Sequence, residues 1–337
     1  MSIQPEQQPG AAGPDAAEYP GVSVVMTVLN EERHLASAVR AVLDQDYPGE
    51  LELVVALGPS TDATDAIAAE LAAQDSRMRT VPNPEGATPV GLNRAIKDAK
   101  YDIIVRVDGH AVLPRDYVRT AVEVLQETGA DNVGGIMHAE GTTPFEKAVA
   151  CATNSWLGVG GARFHVGGEA GPAETVYLGS FRRSALERVG GFDEGMRRAQ
   201  DWELNYRLRR SGGTVWFTPR MRVSYRPRST VKALAKQYFR TGQWRREVVR
   251  RHSETVSVRY LAPPLALVGM VGGTIAGVAG FWPGFVIPGG YLVGVLVGSA
   301  IVGRKLPWKS KLMLPIVCAT MHTSWGAGFI FSPRNLK

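Results

Sequence analysis

Asp108-Gly109-His110 stands directly after the apolar run Ile103-Ile104-Val105-Arg106-Val107. If a strand ran through it, alternate side chains would point the same way, and Asp108 and His110 would present an oxygen and a nitrogen to one point beyond a sheet edge. Both are ligands for a divalent cation of the Mg or Mn kind, Mn being the more tolerant of nitrogen. The same residues also suit a plain polar turn after a buried strand. A second candidate is Asp201, in the run Gln200-Asp201-Trp202-Glu203-Leu204 that opens a helix. An acid there can simply cap the helix and complement its dipole, or it can act as a general base toward an attacking hydroxyl. Glu203 is expected elsewhere on that helix, facing solvent or supporting its neighbours.

The elements that would carry these groups follow from periodicity. Val22 to Val28 is a β-branched run, followed by the polar Asn30-Glu31-Glu32 and then Leu35, Ala38, Val39, Val42 and Leu43 at helical spacing. The pattern recurs with Leu51 to Leu57, the turn Gly58-Pro59-Ser60-Thr61-Asp62 and a helix from Ala63 to about Ala73. A third helix over Val90 to Ala99 leads into the strand ending at Asp108. Such alternation predicts a parallel, doubly wound α/β sheet, whose ligands bind beyond the carboxyl ends of the strands. The turns bearing Glu31, Asp62, Asp108 and His110 would share that edge. No G-x-G-x-x-G follows the first strand and no G-K-[ST] loop occurs, which disfavours dinucleotide oxidoreductases and P-loop NTPases. Gly158 to Gly171 is expected to be a mobile loop, placed where a lid or acceptor loop would lie.

The chain has 337 residues, 45% of them hydrophobic, enough for one large domain and something smaller. Apolar runs over 261–280, 281–303 and 312–332 each have roughly the 20 residues that cross a hydrocarbon core, the last carrying a single histidine, His322, and no Asp, Glu, Lys or Arg. A membrane region of two or three helices is therefore expected over 260–332, with a re-entrant third segment as the alternative. His322 would pack between helices or face a polar cavity. Residues 1–20 have no secretory pattern and are expected to form a disordered tail, followed by a catalytic domain over 21–228. Over 229–259, Lys232, Lys236, Gln237, Arg240 and Arg250 are interleaved with Leu234, Tyr238, Phe239, Trp244, Val248 and Val249, the pattern of a basic amphipathic interfacial helix. Arg245, Arg246, Arg250 and Arg251 precede the first apolar run, and Arg304, Lys305, Lys309 and Lys311 lie between the second and third. That asymmetry predicts a multi-pass cytoplasmic-membrane protein with its catalytic domain in the cytoplasm. The net charge of +6 gathers near the membrane, favouring anionic lipid over nucleic acid. Cys151 and Cys318 suggest neither a disulfide framework nor a zinc site.

Taken in order, Thr27-Val28-Leu29-Asn30-Glu31, Ser60-Thr61-Asp62, Arg106-Val107-Asp108-Gly109-His110-Ala111, Gly190-Gly191-Phe192-Asp193-Glu194, Gln200-Asp201-Trp202-Glu203-Leu204 and Gln237-Tyr238-Phe239-Arg240 resemble the family 2 glycosyltransferases of the GT-A fold. Within them the likeness is to ExoA-type membrane enzymes of exopolysaccharide and succinoglycan biosynthesis, and it spans Val22 to Phe331. The resemblance implies a GT-A (nucleotide-diphospho-sugar transferase, Rossmann-like) domain followed by an amphipathic helix and transmembrane helices. It further implies a membrane-anchored, metal-dependent, inverting hexosyltransferase, using a UDP-linked nucleotide sugar and a lipid-linked acceptor such as a polyprenyl-diphosphate saccharide. Thr27, Glu31, Asp62 and Asp108 would then line the nucleotide and donor pocket, Asp108 and His110 would hold Mg or Mn, and Asp201 would be the base. Gln237, Arg240 and Trp244 would contact the acceptor or diphosphate.

Three departures stand out. Leu57-Gly58 replaces the acidic pair that many relatives carry, His110 replaces a second acid, and Thr241 stands where a Q-x-x-R-W pattern has its tryptophan, with Trp244 following three residues later. The last favours transfer of one sugar over processive synthesis. Two alternatives follow, a polyprenyl-phosphate sugar synthase and a catalytically inactive GT-A scaffold in a membrane assembly complex.

Overall fold

The computed structural model describes residues 19–336. The expected tail therefore falls outside the described residues, apart from Tyr19 and Pro20. Strand β1 (Val22–Val28), helix α1 (Leu35–Leu43), β2 (Leu51–Leu57) and α2 (Thr64–Gln74) form where the periodicity places them. Next come a short strand that periodicity did not reveal, β3 (Met78–Pro82), then α3 (Thr88–Asp98), β4 (Ile103–Asp108), α4 (Tyr117–Thr128) and β5 (Asn132–Ala139). α5 (Pro144–Thr153) begins with a capping box: the Thr143 hydroxyl accepts from the Glu146 amide (3.2 Å) and Glu146 Oε2 accepts from the Thr143 amide (3.1 Å).

Two single helical turns follow, α6 (Trp156–Val159) and α7 (Arg163–Val166), and then β6 (Gly171–Pro172), β7 (Tyr177–Arg182), α8 (Arg183–Val189), α9 (Gln200–Arg210) and β8 (Val215–Tyr225). The segment expected to be a mobile loop is thus partly helical. Its glycines serve as chain reversals instead: Gly160 and Gly167, at φ +63° and +81°, each end one of the turns.

The sheet corrects the expectation of a wholly parallel array. Its eight strands run in the order β3-β2-β1-β4-β7-β5-β8-β6. β3, β2, β1 and β4 are mutually parallel, but β7 is antiparallel to both β4 and β5, and β6 is antiparallel to β8. β7 enters next to β4 from a distant part of the chain, an arrangement that local alternation cannot signal. One face of the sheet packs on α1, α2 and α4 through Val24, Val105, Leu35 and Val118; the other packs on α3, α8 and α9 through Val25, Ile104, Leu92, Leu186 and Leu204.

The C-terminal region comprises α10 (Val231–Arg251), α11 (Val258–Val278), α12 (Val286–Val302) and α13 (Trp308–Ile330). α11 and the segment Trp282–Val302 are each long and apolar enough to cross a membrane, and only 17% of the apolar window of each is buried, so most of their apolar side chains lie outside the core, Val295 being an exception. Among the described residues these are the two such helices; the third apolar run behaves differently. α13 packs against α5, α10, α11 and α12, burying Leu314, Val317, Cys318, Met321 and Phe329. A Cβ on Gly328 would fall on the Phe239 carbonyl oxygen, and one on Gly242 on that of Trp325. The two glycines let α10 and α13 touch backbone to backbone.

Candidate active site

β4 places the first candidate. Ile104, Arg106 and Asp108 alternate onto the face that α3, α8 and α9 cover, and α9 carries Asp201 in its first turn. The buried Arg106 guanidinium joins the two acids: Nη2 donates to Asp108 Oδ1 (2.8 Å) and Nη1 is paired with Asp201 Oδ1. The two carboxylates hold the guanidinium proton well above the ordinary arginine range, against the opposing effect of its burial. Arg106 was not assigned a role from sequence; the signal was a lone cation in an apolar strand, two residues before Asp108. It pairs at once with Asp108, two residues on, and with Asp201, 95 residues on.

His110 arrives by a different route from the one alternation implies. β4 ends at Asp108, and Gly109-His110 forms a turn closed by the Ala111 amide donating to the Asp108 carbonyl oxygen (2.9 Å). The His110 ring meets the β1–α1 loop, with Nδ1 3.0 Å from Glu31 Oε1. The hydrogen bond to Glu31 raises the His110 pKa above its usual value, with Asp108 adding to it and burial opposing. Asp108, His110 and Glu31 therefore share the carboxyl edge of the parallel strands. Thr27 is the register partner of Asp108 and is half-buried beneath α3.

Asp62 lies at the same edge but its carboxylate is occupied. Oδ1 accepts from the Thr64 hydroxyl (2.5 Å) and amide (3.0 Å), and Oδ2 accepts from the Glu32 amide (3.2 Å). The Thr64 hydroxyl, with these amides, holds it below the usual carboxylate range. Asn30, left-handed at φ +57°, accepts from the Thr61 amide (2.8 Å) and completes the tie between the two loops. Glu203 is not solvent-facing: it is buried, accepts from Arg207 Nε and Nη2 (both 2.7 Å) and lies 3.3 Å from His252 Nε2. It supports α9 rather than entering the site.

A divalent cation is compatible with this donor set. Among the described residues no group of three or more His, Cys, Asp or Glu closes around a point. Asp108 Oδ1 lies against Arg106 Nη2 and His110 Nδ1 against Glu31, so both candidate donors already have a polar neighbour.

α10 divides the acceptor candidates. Gln237 lies in the wall of a cavity of about 650 Å³ between the α/β domain and the C-terminal helices, where its Oε1 accepts from Arg228 Nε (3.1 Å) and its Nε2 donates to the Tyr225 hydroxyl (3.1 Å). Arg240 is exposed, and its charge and that of Arg228 add to burial in lowering the pKa of Arg198, near the start of α9. Trp244 is on neither surface: it is buried with Met196 and Val248, anchoring α10 to the segment before α9. His322 packs between helices, its Nε2 2.7 Å from the Leu157 carbonyl oxygen and its Nδ1 3.1 Å from the Tyr291 hydroxyl.

A mixed α/β sheet with acidic groups gathered at the carboxyl edge of its parallel half, followed by apolar helices, is the architecture of a GT-A glycosyltransferase. The chain belongs to the family 2 glycosyltransferases: the model of that family, "Glycosyl transferase family 2", matches residues 23–190. It is 32% identical over 311 residues to succinoglycan biosynthesis protein ExoA of Rhizobium meliloti, covering 91% of this chain and 93% of that one. A dolichyl N-acetyl-alpha-D-glucosaminyl phosphate 3-beta-D-2,3-diacetamido-2,3-dideoxy-beta-D-glucuronosyltransferase of Methanococcus voltae is 26% identical over 68% of this chain and 74% of its own. Among solved structures, a mannosyltransferase of Pyrobaculum calidifontis in complex with GDP-Man and Mn2+ superposes with a TM-score of 0.61 at 18% identity, covering 94% of this chain and 89% of that one. The chain is thus an enzyme of the glycosyltransferase class with relatives in polysaccharide and glycolipid assembly.

Proposed function

We propose that this protein is a membrane-anchored, inverting hexosyltransferase that moves one sugar from a nucleotide sugar, UDP-linked, to a lipid-linked saccharide in cell-surface polysaccharide or glycolipid assembly. The observation that carries it is the Arg106 bridge between Asp108 and Asp201, which sets the acid at the donor edge beside a candidate base. Thr27, Glu31 and Asp62 would form the nucleotide wall, Asp62 by fixing the loops. The acceptor hydroxyl would attack the anomeric carbon from the face opposite the leaving diphosphate, its proton passing to Asp201 as the new C–O bond forms and the bond to the diphosphate oxygen breaks. One displacement inverts the anomeric centre. Asp108 and His110 would hold Mg or Mn, which when bound neutralises charge on the leaving diphosphate. Gln237 and Arg240 would face the acceptor, and Trp244 would contribute only by anchoring α10. The exposed apolar α11 and Trp282–Val302 would cross the cytoplasmic membrane, with the α/β domain on the cytoplasmic side, where nucleotide sugars are made.

The test is Asp201→Asn, assayed for metal-dependent sugar transfer in the presence of membrane lipid extract. Transfer should fall by about 10² to 10⁴, the reach of a lost general base, while nucleotide binding stays near wild type. Unchanged turnover would remove Asp201 from the chemistry. Product analysis distinguishes the synthase alternative, because an elongated glycan on a lipid diphosphate and a single sugar on a lipid monophosphate differ in mass.

A further inference from the structure

The cavity between the α/β domain and the C-terminal helices has an uneven chemistry. Its walls are largely apolar and aromatic, with Trp156, Leu157, Tyr238 and Trp325 among them. Arg228, Arg245 and Arg259 also line it, and among the described residues no carboxylate does. Arg259 has Glu174 at 3.6 Å, and Arg228 donates to the neutral Gln237. Arg245 has no acidic partner at hydrogen-bond distance. It is 6% exposed, its guanidinium carbon lies 3.9 Å from the Trp202 ring centre and 3.5 Å from that of Tyr260, and its Nη2 donates to the Thr255 carbonyl oxygen (2.9 Å). Its buried Nε has no acceptor, and neither do Trp202 Nε1 and His165 Nδ1 in the same wall.

A buried cation whose nearby carboxylate, Glu174, forms no hydrogen bond with it, beside two polar ring atoms without partners, is an unfavourable arrangement, and three of the nine buried side-chain polar atoms without a partner among the described residues gather in this one wall. Burial pulls the Arg245 pKa down to about 10, which leaves the group charged at neutral pH. An anion seated between these groups would satisfy them together, and Arg is the side chain best matched to phosphate oxygens. Two further features specify the anion. Ala199 and Trp202 are in the wall, so the cavity lies against the first turn of α9, the turn that carries Asp201. Tyr260, Ala262 and Pro263 bring the first turns of α11 into it, and that helix continues with Leu265, Val268 and Val271 exposed.

We propose that the cavity is the head-group site for the acceptor: it takes the phosphate or diphosphate ester of a long hydrocarbon alcohol, with Arg245 as the buried anion partner and the chain leaving along α11. The proposal rests on the glycosyltransferase assignment and assigns the place in the fold, and the buried residue, that would hold the acceptor's anionic head group. It moves the anion contact from Arg240, which is exposed, to Arg245, which was expected only to set membrane topology.

Binding of farnesyl diphosphate, farnesol and inorganic pyrophosphate to the full-length protein in detergent micelles tests it. Farnesyl diphosphate should bind at least about tenfold more tightly than either fragment, because each lacks one half of the recognition. Arg245→Gln should weaken it by about tenfold or more, and Arg245→Lys should restore part of the loss. Without ligand, Arg245→Gln should melt no lower than wild type, because it removes an unpaired buried charge; a purely structural arginine would lower the Tm. Farnesol binding as tightly as its diphosphate overturns the anion site, in wild-type protein alone, whether or not the variant folds. Equal affinity for pyrophosphate overturns the lipid and leaves an ion site. Normal binding by Arg245→Gln overturns the residue. Titration of UDP with Mn or Mg is read in parallel. Its loss with farnesyl diphosphate binding intact defeats the transfer mechanism, and the converse defeats this proposal.

Discussion

Arg106 decides more of the site than either acid it holds. Side chains of this kind are tolerated in a strand only where partners compensate the buried charge. Replacing it with Met should leave Asp108 and Asp201 without their shared cation and cost about 1 to 3 kcal/mol, toward the low end because both carboxylates are partly exposed and screened. Chemical denaturation would measure that loss, and activity should fall further than the population unfolded explains; proportional losses would reduce Arg106 to a structural role. Glu146 makes a second prediction at this scale. The Thr142 hydroxyl and the Thr143 and Thr142 amides hold its carboxyl down to about 2, below the ordinary 4.5. A depressed carboxyl stabilises the fold fully above its unfolded pKa and loses that contribution as the pH falls through the folded one. The Tm gap between wild type and Glu146→Gln should therefore be widest above pH 4.5 and close toward pH 2. A gap independent of pH would show that charge is not what Glu146 contributes.

At the scale of elements, the sensitive contact is the crossing of α10 and α13. Gly328 and Gly242 permit an approach that a single methyl would block, since the atoms in the way are backbone carbonyls that cannot rotate aside. Gly328→Ala should destabilise by about 1 to 3 kcal/mol and shift the walls of the cavity, visible as a lower Tm together with weaker acceptor use. An alanine variant with wild-type Tm would mean that the helices separate at no cost. The capping box of α5 is a milder case: Thr143→Ala removes the side-chain acceptor for the Glu146 amide and should cost about 1 kcal/mol. α5 lies under α13, so the two effects act on the same wall of the cavity.

For the molecule as a whole, the apolar C-terminal segments play different parts. α11 and Trp282–Val302 present apolar surface outward, whereas α13 is built into the junction with the α/β domain. Truncation after Gly303 should therefore strip α10 and α5 of their packing partner and yield misfolded chain, scored by limited proteolysis of the α/β domain. A truncated protein as resistant as the whole would show α13 to be dispensable. Carbonate-washed membranes should retain the full chain through its two exposed apolar helices; release into the supernatant would mean that these helices do not span.

Local patterning was enough to reveal β1, α1, β2, α2, α3 and β4, because burial of alternating or helical stripes dictates the element, though α3 begins two residues before the expected Val90. It also marked Asp108, His110, Glu31 and Asp62 as sharing an edge, since turns after parallel strands must fall there. Apolar length alone marked the C-terminal helices, but length does not distinguish a helix that faces lipid from one that packs on a domain, and so the sequence leaves α13 open between a third span and a re-entrant segment. The insertion of β7 beside β4, the capture of Asp201 by Arg106, the burial of Glu203 and Trp244 and the stacking of Arg245 over Trp202 and Tyr260 appear in no stretch of sequence. Each depends on which distant surfaces close on one another, and charge pairing and desolvation come into being only with that closure.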